Sequence, residues 1–239
     1  MDASDPPVVC PRMRTWPSCR DSTTAVVLLL PGGKASSTSP STAKHLTVRR
    51  MVALASAVHL TVRDRGVAVR LLRYRFRGWN APDLDPVRDA RWALGEFRRN
   101  FPGVPVILVG HSMGGRAALM VADDPAVPAV CALAPWIEPG EPVAQLGGTE
   151  VVIAHGSADR WTSPRASYDF AVRARGITSS TCRFTVDGSG HAMLRRVGDW
   201  TALVRRFVLH ATGTPDALIR DAIDTPSPQG LRVPLPREL

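Results

Sequence analysis

From residue 25 onward, apolar runs alternate with segments of helical spacing. The runs Ala25–Leu30, Val67–Tyr74, Val104–Val109, Ala129–Ala134, Val151–Ala154 and Thr181–Val186 are rich in Val, Ile and Leu and lack strict alternation. Strands covered on both faces read this way, because each side of the sheet meets other side chains rather than water. Between the runs, Thr42 to Leu60 sets Val48, Met51, Val52, Ala55 and Val58 on one stripe of a helix. Asp85-Pro86 is a cap followed by a helix-starting proline, and Val87, Ala90, Leu94 and Phe97 follow at helical spacing. Arg116–Ala122 reads as a buried helix, Ser163-Pro164 opens another that Gly176 can close, and a last one runs from about Leu194 to His210. Strands that alternate with helices need crossover connections. The expectation is therefore an α/β fold, a mostly parallel central sheet with helices on both faces.

The ends lack this pattern. Residues 1–22 contain Pro6, Pro7, Pro11 and Pro17 and suggest an irregular arm or a weakly formed edge strand. Residues 212–239 contain Pro215, Pro226, Pro228, Pro234 and Pro236 and, apart from a short helix at Ala217–Ile223, are expected to be mobile. One domain over residues 23–211 remains.

A length of 239 residues suits a single large domain. A chain of this size buries about 70–75 % of its unfolded surface, so its core needs no staples. Its 44 % hydrophobic content excludes collagen-like, coiled-coil and wholly disordered classes. No apolar run approaches the roughly 18 residues of a membrane span. Ala25–Leu30 is too short for a signal-peptide core, and the N-terminus is acidic, so a soluble, cytoplasmic protein is expected. The formal charge is +9, and all but Lys34 and Lys44 of the 30 cationic residues are Arg. They are spread along the chain with no recognised nucleic-acid motif, which speaks for genome composition and against a nucleic-acid partner. Of the four cysteines, Cys131 and Cys182 lie in strand-like runs and read as small buried hydrophobes, while a Cys10–Cys19 bridge stays open. No zinc spacing is present, and the sequence implies no metal.

The chemistry concentrates at three loops. Gly110-His111-Ser112-Met113-Gly114 follows one apolar strand and opens a buried helix, the strand–turn–helix context of a nucleophile elbow. The turn is too tight for side chains at 110 and 114, and it holds Ser112 in a strained conformation with its hydroxyl above the sheet. After the strand Val151–Ala154 comes His155-Gly156-Ser157-Ala158-Asp159, with Asp159 in a loop before a capped helix. After Thr181–Val186 comes Asp187-Gly188-Ser189-Gly190-His191, which puts His191 on a Gly-rich loop free to reach across the top of the sheet. Two other carboxylates compete for the acid's place: Asp187, on the same loop as His191, and Glu138, after the preceding strand. His155 reads as a packed strand-end residue, and His111 as a residue that shapes the pocket.

The order Ser, Asp, His, each at the C-terminal end of a strand, resembles the α/β-hydrolase superfamily over roughly residues 25–211. Compact lidless esterases and dienelactone-hydrolase-like members are the nearest look-alikes. The resemblance implies that Ser112 attacks a carbonyl carbon, that His191 relays the proton, and that Asp159 orients the imidazole. Leu30-Pro31-Gly32-Gly33-Lys34 is similar to the family's His-Gly-x loop, with Pro31 in place of the usual His. By that match the backbone N–H groups of Gly33 and Met113 would form the oxyanion hole. No cofactor is implied.

About 16 residues separate Ala134 from Val151, interrupted by prolines and glycines. A large cap domain does not fit there, which implies an open site for small soluble esters, thioesters or lactones. Trp79, Trp136 and Trp161 each follow a strand on the loop side and could wall such a site. Arg73, Arg75 and Arg77 alternate along a strand end, where a solvated face competes with a role toward an acidic substrate. An acyltransferase or peptidase could use the same three residues. A non-catalytic binding or scaffolding protein on this fold is the rival from another class, and the intact set of three argues against it.

Overall fold

The computed structural model describes residues 10–238. Among them the chain runs β1 (Arg12–Trp16), β2 (Ala25–Leu30), α1 (Leu46–Val62), β3 (Val67–Arg73), α2 (Asp85–Asn100), β4 (Val106–His111) and α3 (Met113–Met120). It continues with β5 (Ala129–Leu133), β6 (Glu150–Gly156), α4 (Pro164–Ala174), β7 (Ser180–Val186), α5 (Val197–Ala211), α6 (Ala217–Asp224) and β8 (Val233–Pro234). The strands form one sheet in the order β1-β3-β2-β4-β5-β6-β7-β8, parallel throughout except for β1. The expected mostly parallel sheet with helices on both faces is the fold observed. No helix among the described residues is long and apolar enough to cross a membrane.

The unbroken apolar runs follow from burial on both sides. In β2, Val27 and Leu29 face one core with α1 and α5, while Val26, Leu28 and Leu30 face the other with α2, α3 and α4. Each helix buries one stripe: Val48, Met51, Ala55 and Val58 from α1, Leu203, Val204, Phe207 and Val208 from α5, Phe170, Ala171 and Ala174 from α4. Two helix starts lie later than their apolar spacing suggests. His45 caps α1 in extended backbone, with its imidazole accepting the Thr42 N–H at 3.1 Å. Arg196 precedes α5 with φ 59°, a left-handed turn that the helix cannot absorb.

At the N-terminus the edge strand, one of the two forms its sequence suggested, is the one observed. Pro6 and Pro7 lie outside the described residues, but Arg12–Trp16 pairs antiparallel with β3 as an edge strand. The tail expected to be mobile is docked instead. Ile219, Ala222, Leu231 and Leu235 are buried, and β8 pairs with β7. Arg175 donates to the carbonyls of Ile223 and Thr225, and Arg196 to those of Leu235 and Pro236. Proline content suggested a chain without a core of its own. The tail's few apolar side chains find theirs on β7 and α5.

The strand order positions the site. From β2 the chain moves outward to β3 and then crosses back to β4, so α1 and α3 leave neighbouring strands on opposite faces. The loops after β2 and β4 therefore diverge, and a crevice opens between them at the carboxyl ends of the strands. Residues 134–149, between β5 and β6, hold only the short 3₁₀ turn Ala144–Leu146.

Candidate active site

Ser112 occupies the turn between β4 and α3 with φ 57° and ψ −120°, a conformation that side chains rarely adopt. The turn is fixed from both sides: Ser112 N–H donates to Leu133 O at 2.9 Å, and Trp136 N–H donates to Ser112 O at 3.2 Å. A Cβ at Gly110 would overlap the Gly114 carbonyl, and one at Gly114 the Leu30 carbonyl, which explains both glycines. Met113 is the first residue of α3, where a backbone N–H has no intrahelical acceptor. Gly33 lies against the Met113 side chain. Its loop is pinned to the one after β3, with Lys34 N–H donating to Arg77 O at 2.8 Å and Trp79 N–H to Lys34 O at 2.8 Å.

His191 lies between Ser112 and Asp159. Its Nε2 is 2.9 Å from Ser112 Oγ and its Nδ1 is 2.8 Å from Asp159 Oδ2. A carboxylate only accepts, so the proton sits on Nδ1 and leaves Nε2 free to accept from the serine. The Asp159 side chain is fully buried and densely held. Oδ1 accepts the N–H groups of Trp161 (2.8 Å) and Thr162 (3.0 Å), and Oδ2 accepts the Thr162 hydroxyl at 2.9 Å. His155 Nε2 lies 3.2 Å from the same Oδ2. Burial alone would raise the Asp159 pKa, but hydrogen bonds from His155, His191, Thr162 and Trp161 outweigh it and hold the carboxyl far below the ordinary range. The charge sits where an imidazolium on His191 would need it.

The two competing carboxylates are engaged elsewhere. Asp187 is exposed, with Oδ1 3.1 Å from Ser157 Oγ. Glu138 accepts the Trp136 indole N–H at 2.5 Å. His155 is the buried strand-end residue its position suggested, with an added contact to Asp159. Thr162, which no sequence pattern singled out, brings its hydroxyl within 3.0 Å of His191 Nδ1 and within 3.3 Å of His155 Nε2.

A cavity of about 400 Å³ opens over Ser112, and Gly33, Met113, His111, Trp136 and Trp161 line it. Trp161 is 82 % exposed and faces the His191 ring at 5.4 Å between centroids. Trp79 is a correction: it is buried and lies behind the wall, edge-on to Trp136 at 5.9 Å. The Arg116 guanidinium sits 4.3 Å from its ring, 4.7 Å from that of Trp136, and pairs with Glu141 at 2.8 Å. A buried cation held by both rings and a carboxylate draws Trp79 inward. Arg75 also departs from a solvated face, because it binds Asp85 at 2.9 Å and Asp89 at 2.6 Å.

His111 is buried beneath the cavity and its Nε2 is 3.0 Å from the His191 carbonyl. Burial, and then the neighbouring His191, lower its pKa to about 3. The folded protein therefore refuses a proton that the unfolded chain accepts near pH 6.5. Below that pH stability should fall by up to about 1.4 kcal/mol per pH unit, until about pH 3. His155, lowered by burial, acts in the same direction. Urea unfolding at pH 6.5 and 4.5 should differ by about 2–3 kcal/mol from His111 alone. In His111→Gln, which keeps a donor, the difference should shrink by that amount; an unchanged difference would mean that His111 titrates normally.

A family model described as the alpha/beta hydrolase family matches residues 27–238. No curated protein sequence matches the chain. Among solved structures, an acetyl ester-xyloside bifunctional hydrolase from Caldicellulosiruptor lactoaceticus superposes with a TM-score of 0.66 at 16 % identity, over 90 % of this chain and 92 % of that one. Est1E from Butyrivibrio proteoclasticus, in its ferulic acid complex, gives 0.61 at 16 % identity, over 84 % and 94 %. A serine hydrolase without a lid from Xanthomonas campestris gives 0.59 at 17 % identity, over 90 % and 91 %. At such identities the likeness is one of fold.

Proposed function

The chain belongs to the alpha/beta hydrolase family, and from that premise we propose that it is a serine hydrolase of carboxylic esters, with thioesters and lactones open to the same chemistry. The observation that carries this reading is the continuous hydrogen-bonded line from Ser112 Oγ through His191 to Asp159. Ester hydrolase and serine hydrolase descriptions among the structural neighbours support it.

In this reading Ser112 Oγ adds to the carbonyl carbon while its proton passes to His191 Nε2. The carbonyl oxygen becomes an oxyanion that accepts from the Gly33 and Met113 N–H groups. Losing one such donor typically costs about a hundred- to thousandfold in rate. His191 then gives the proton to the leaving oxygen or sulfur as the carbon–heteroatom bond breaks, and an acyl group remains on Ser112. Water adds next, His191 takes its proton, and that proton returns to Ser112 Oγ as the acid departs. Asp159 stabilises the imidazolium in both steps.

Incubation with a fluorophosphonate, followed by peptide mass spectrometry, tests the nucleophile directly. One label per chain on Ser112, together with turnover of a short-chain p-nitrophenyl ester, is the expected result. Folded protein that neither labels nor turns over would favour a binding or scaffolding role. Transfer of the acyl group to an added alcohol in preference to water would identify an acyltransferase.

A further inference from the structure

The cavity over Ser112 has a charge bias that ester cleavage does not require. Its lining includes two cationic side chains, Lys34 and Arg50, and no carboxylate. Asp159 is buried behind His191 and Thr162, with its charge taken up by the donors around it. On α1, residues 46, 47 and 50 are three and four apart and so share one face. That face carries Leu46, Thr47 and Arg50 to the cavity, while Val48, Met51, Ala55 and Val58 enter the core. The first turn of α1 contains no acidic residue.

Arg50 is half-buried, and among the described residues it has no hydrogen bond or ion pair. Several other partly or fully buried arginines of this chain have found acceptors. Arg75 pairs with Asp85 and Asp89, Arg116 with Glu141, Arg196 with Asp199, and Arg183 with Ser167 and backbone carbonyls. Burial lowers the Arg50 pKa, so a partner of opposite charge would restore what desolvation removes. Lys34 is exposed at the rim, and its charge and that of Arg77 both bear on His45, one residue before α1. The mouth of the cavity is thus cationic, with a planar donor fork in its wall suited to a carboxylate.

On the serine-hydrolase reading given above, we propose that the substrate is an anionic ester, whose acidic group is held by Arg50 with Lys34 at the rim while its carbonyl lies at Ser112. Exposed Leu46, Trp161 and Leu194 border the same cavity and would cover the apolar part of such a molecule. The charged group accounts for the unpaired guanidinium and the absence of carboxylates from the lining, which a neutral ester would not.

Two matched pairs of esters test this. In the first, the acyl group differs: p-nitrophenyl hydrogen glutarate against p-nitrophenyl valerate. In the second, the leaving group differs: 4-acetoxybenzoate against 4-acetoxytoluene. A charge-assisted hydrogen bond made on binding corresponds to a preference of about tenfold or more. The native protein should show that preference in kcat/KM for the anionic member of at least one pair, and it should shrink with added salt. Arg50→Gln should bring the ratio close to one and Arg50→Lys should recover part of it. The ratio cancels general damage to the site. Calorimetric binding of the same esters to Ser112→Ala reads the preference without turnover. A protein that cleaves neither pair yet binds the anionic member more tightly would overturn the hydrolase reading and keep the anion site. Equal or weaker handling of the anionic members in both pairs, by turnover or by binding, would overturn the anion site.

Discussion

Ser112→Ala should lower kcat on any ester this protein cleaves by about four to six orders of magnitude, and should abolish fluorophosphonate labelling. The substitution is unusually clean here. Ser112 holds φ 57° because β4 turns into α3 at that residue, and alanine keeps the β-carbon and the same backbone requirement. The only group removed is the hydroxyl, which lies 2.9 Å from His191 Nε2. The backbone bonds from Ser112 to Leu133 and from Trp136 to Ser112 do not involve it. Stability by urea unfolding should therefore stay within about 1 kcal/mol of the native protein, as for other changes that create no large cavity. Retention of more than a hundredth of the native rate in highly purified variant would place the nucleophile elsewhere.

Asp159→Asn should cost about ten-thousandfold in kcat near neutral pH, with little change in KM. The Oδ1 position is fixed as an acceptor by two backbone N–H groups, from Trp161 and Thr162. An asparagine would place its carbonyl oxygen there and turn its NH₂ toward the Oδ2 position. That group would then face His191 Nδ1 with a donor where an acceptor is needed. The imidazole would respond by carrying its proton on Nε2, where it can no longer take one from Ser112. Asp159 lines none of the cavity, so substrate binding should be nearly untouched. A loss of less than tenfold would mean that Thr162, with its hydroxyl 3.0 Å from His191 Nδ1, orients the ring well enough alone.

The parts of this molecule legible in the sequence are those where backbone geometry or double-sided burial restricts the choice of residue. Strands β2 to β7 announce themselves because both faces are covered, and the elbow because Gly110 and Gly114 leave no room for a side chain. Asp159 and His191 follow from their places after β6 and β7. Strands β1 and β8 were harder to see. One is five residues, two of them exposed arginines, the other two residues with a proline, and neither carries an apolar run. Thr162 and Arg50 reach the site through tertiary placement, from a loop and a helix face whose local sequence is ordinary. Trp79 shows the converse: its position after β3 is on the correct side of the sheet, yet Arg116 and Trp136 hold it behind the cavity wall.

The two outermost strands also decide how the sheet ends. An open edge presents unpaired amides on which another chain can add a strand, and proteins guard against this with short edges, charge and proline. On one side the guard is β1, with exposed Arg12 and Arg14, whose like charges would meet again in a copy laid alongside. On the other it is β8, only Val233 and Pro234, where the proline has no N–H to offer. Without β8 and the docked tail, the long strand β7, with buried Phe184 and Val186, would itself be the margin. Removing residues 212–239 would therefore convert a protected sheet into one prone to edge-to-edge aggregation, with the residues around Ser112 still in place.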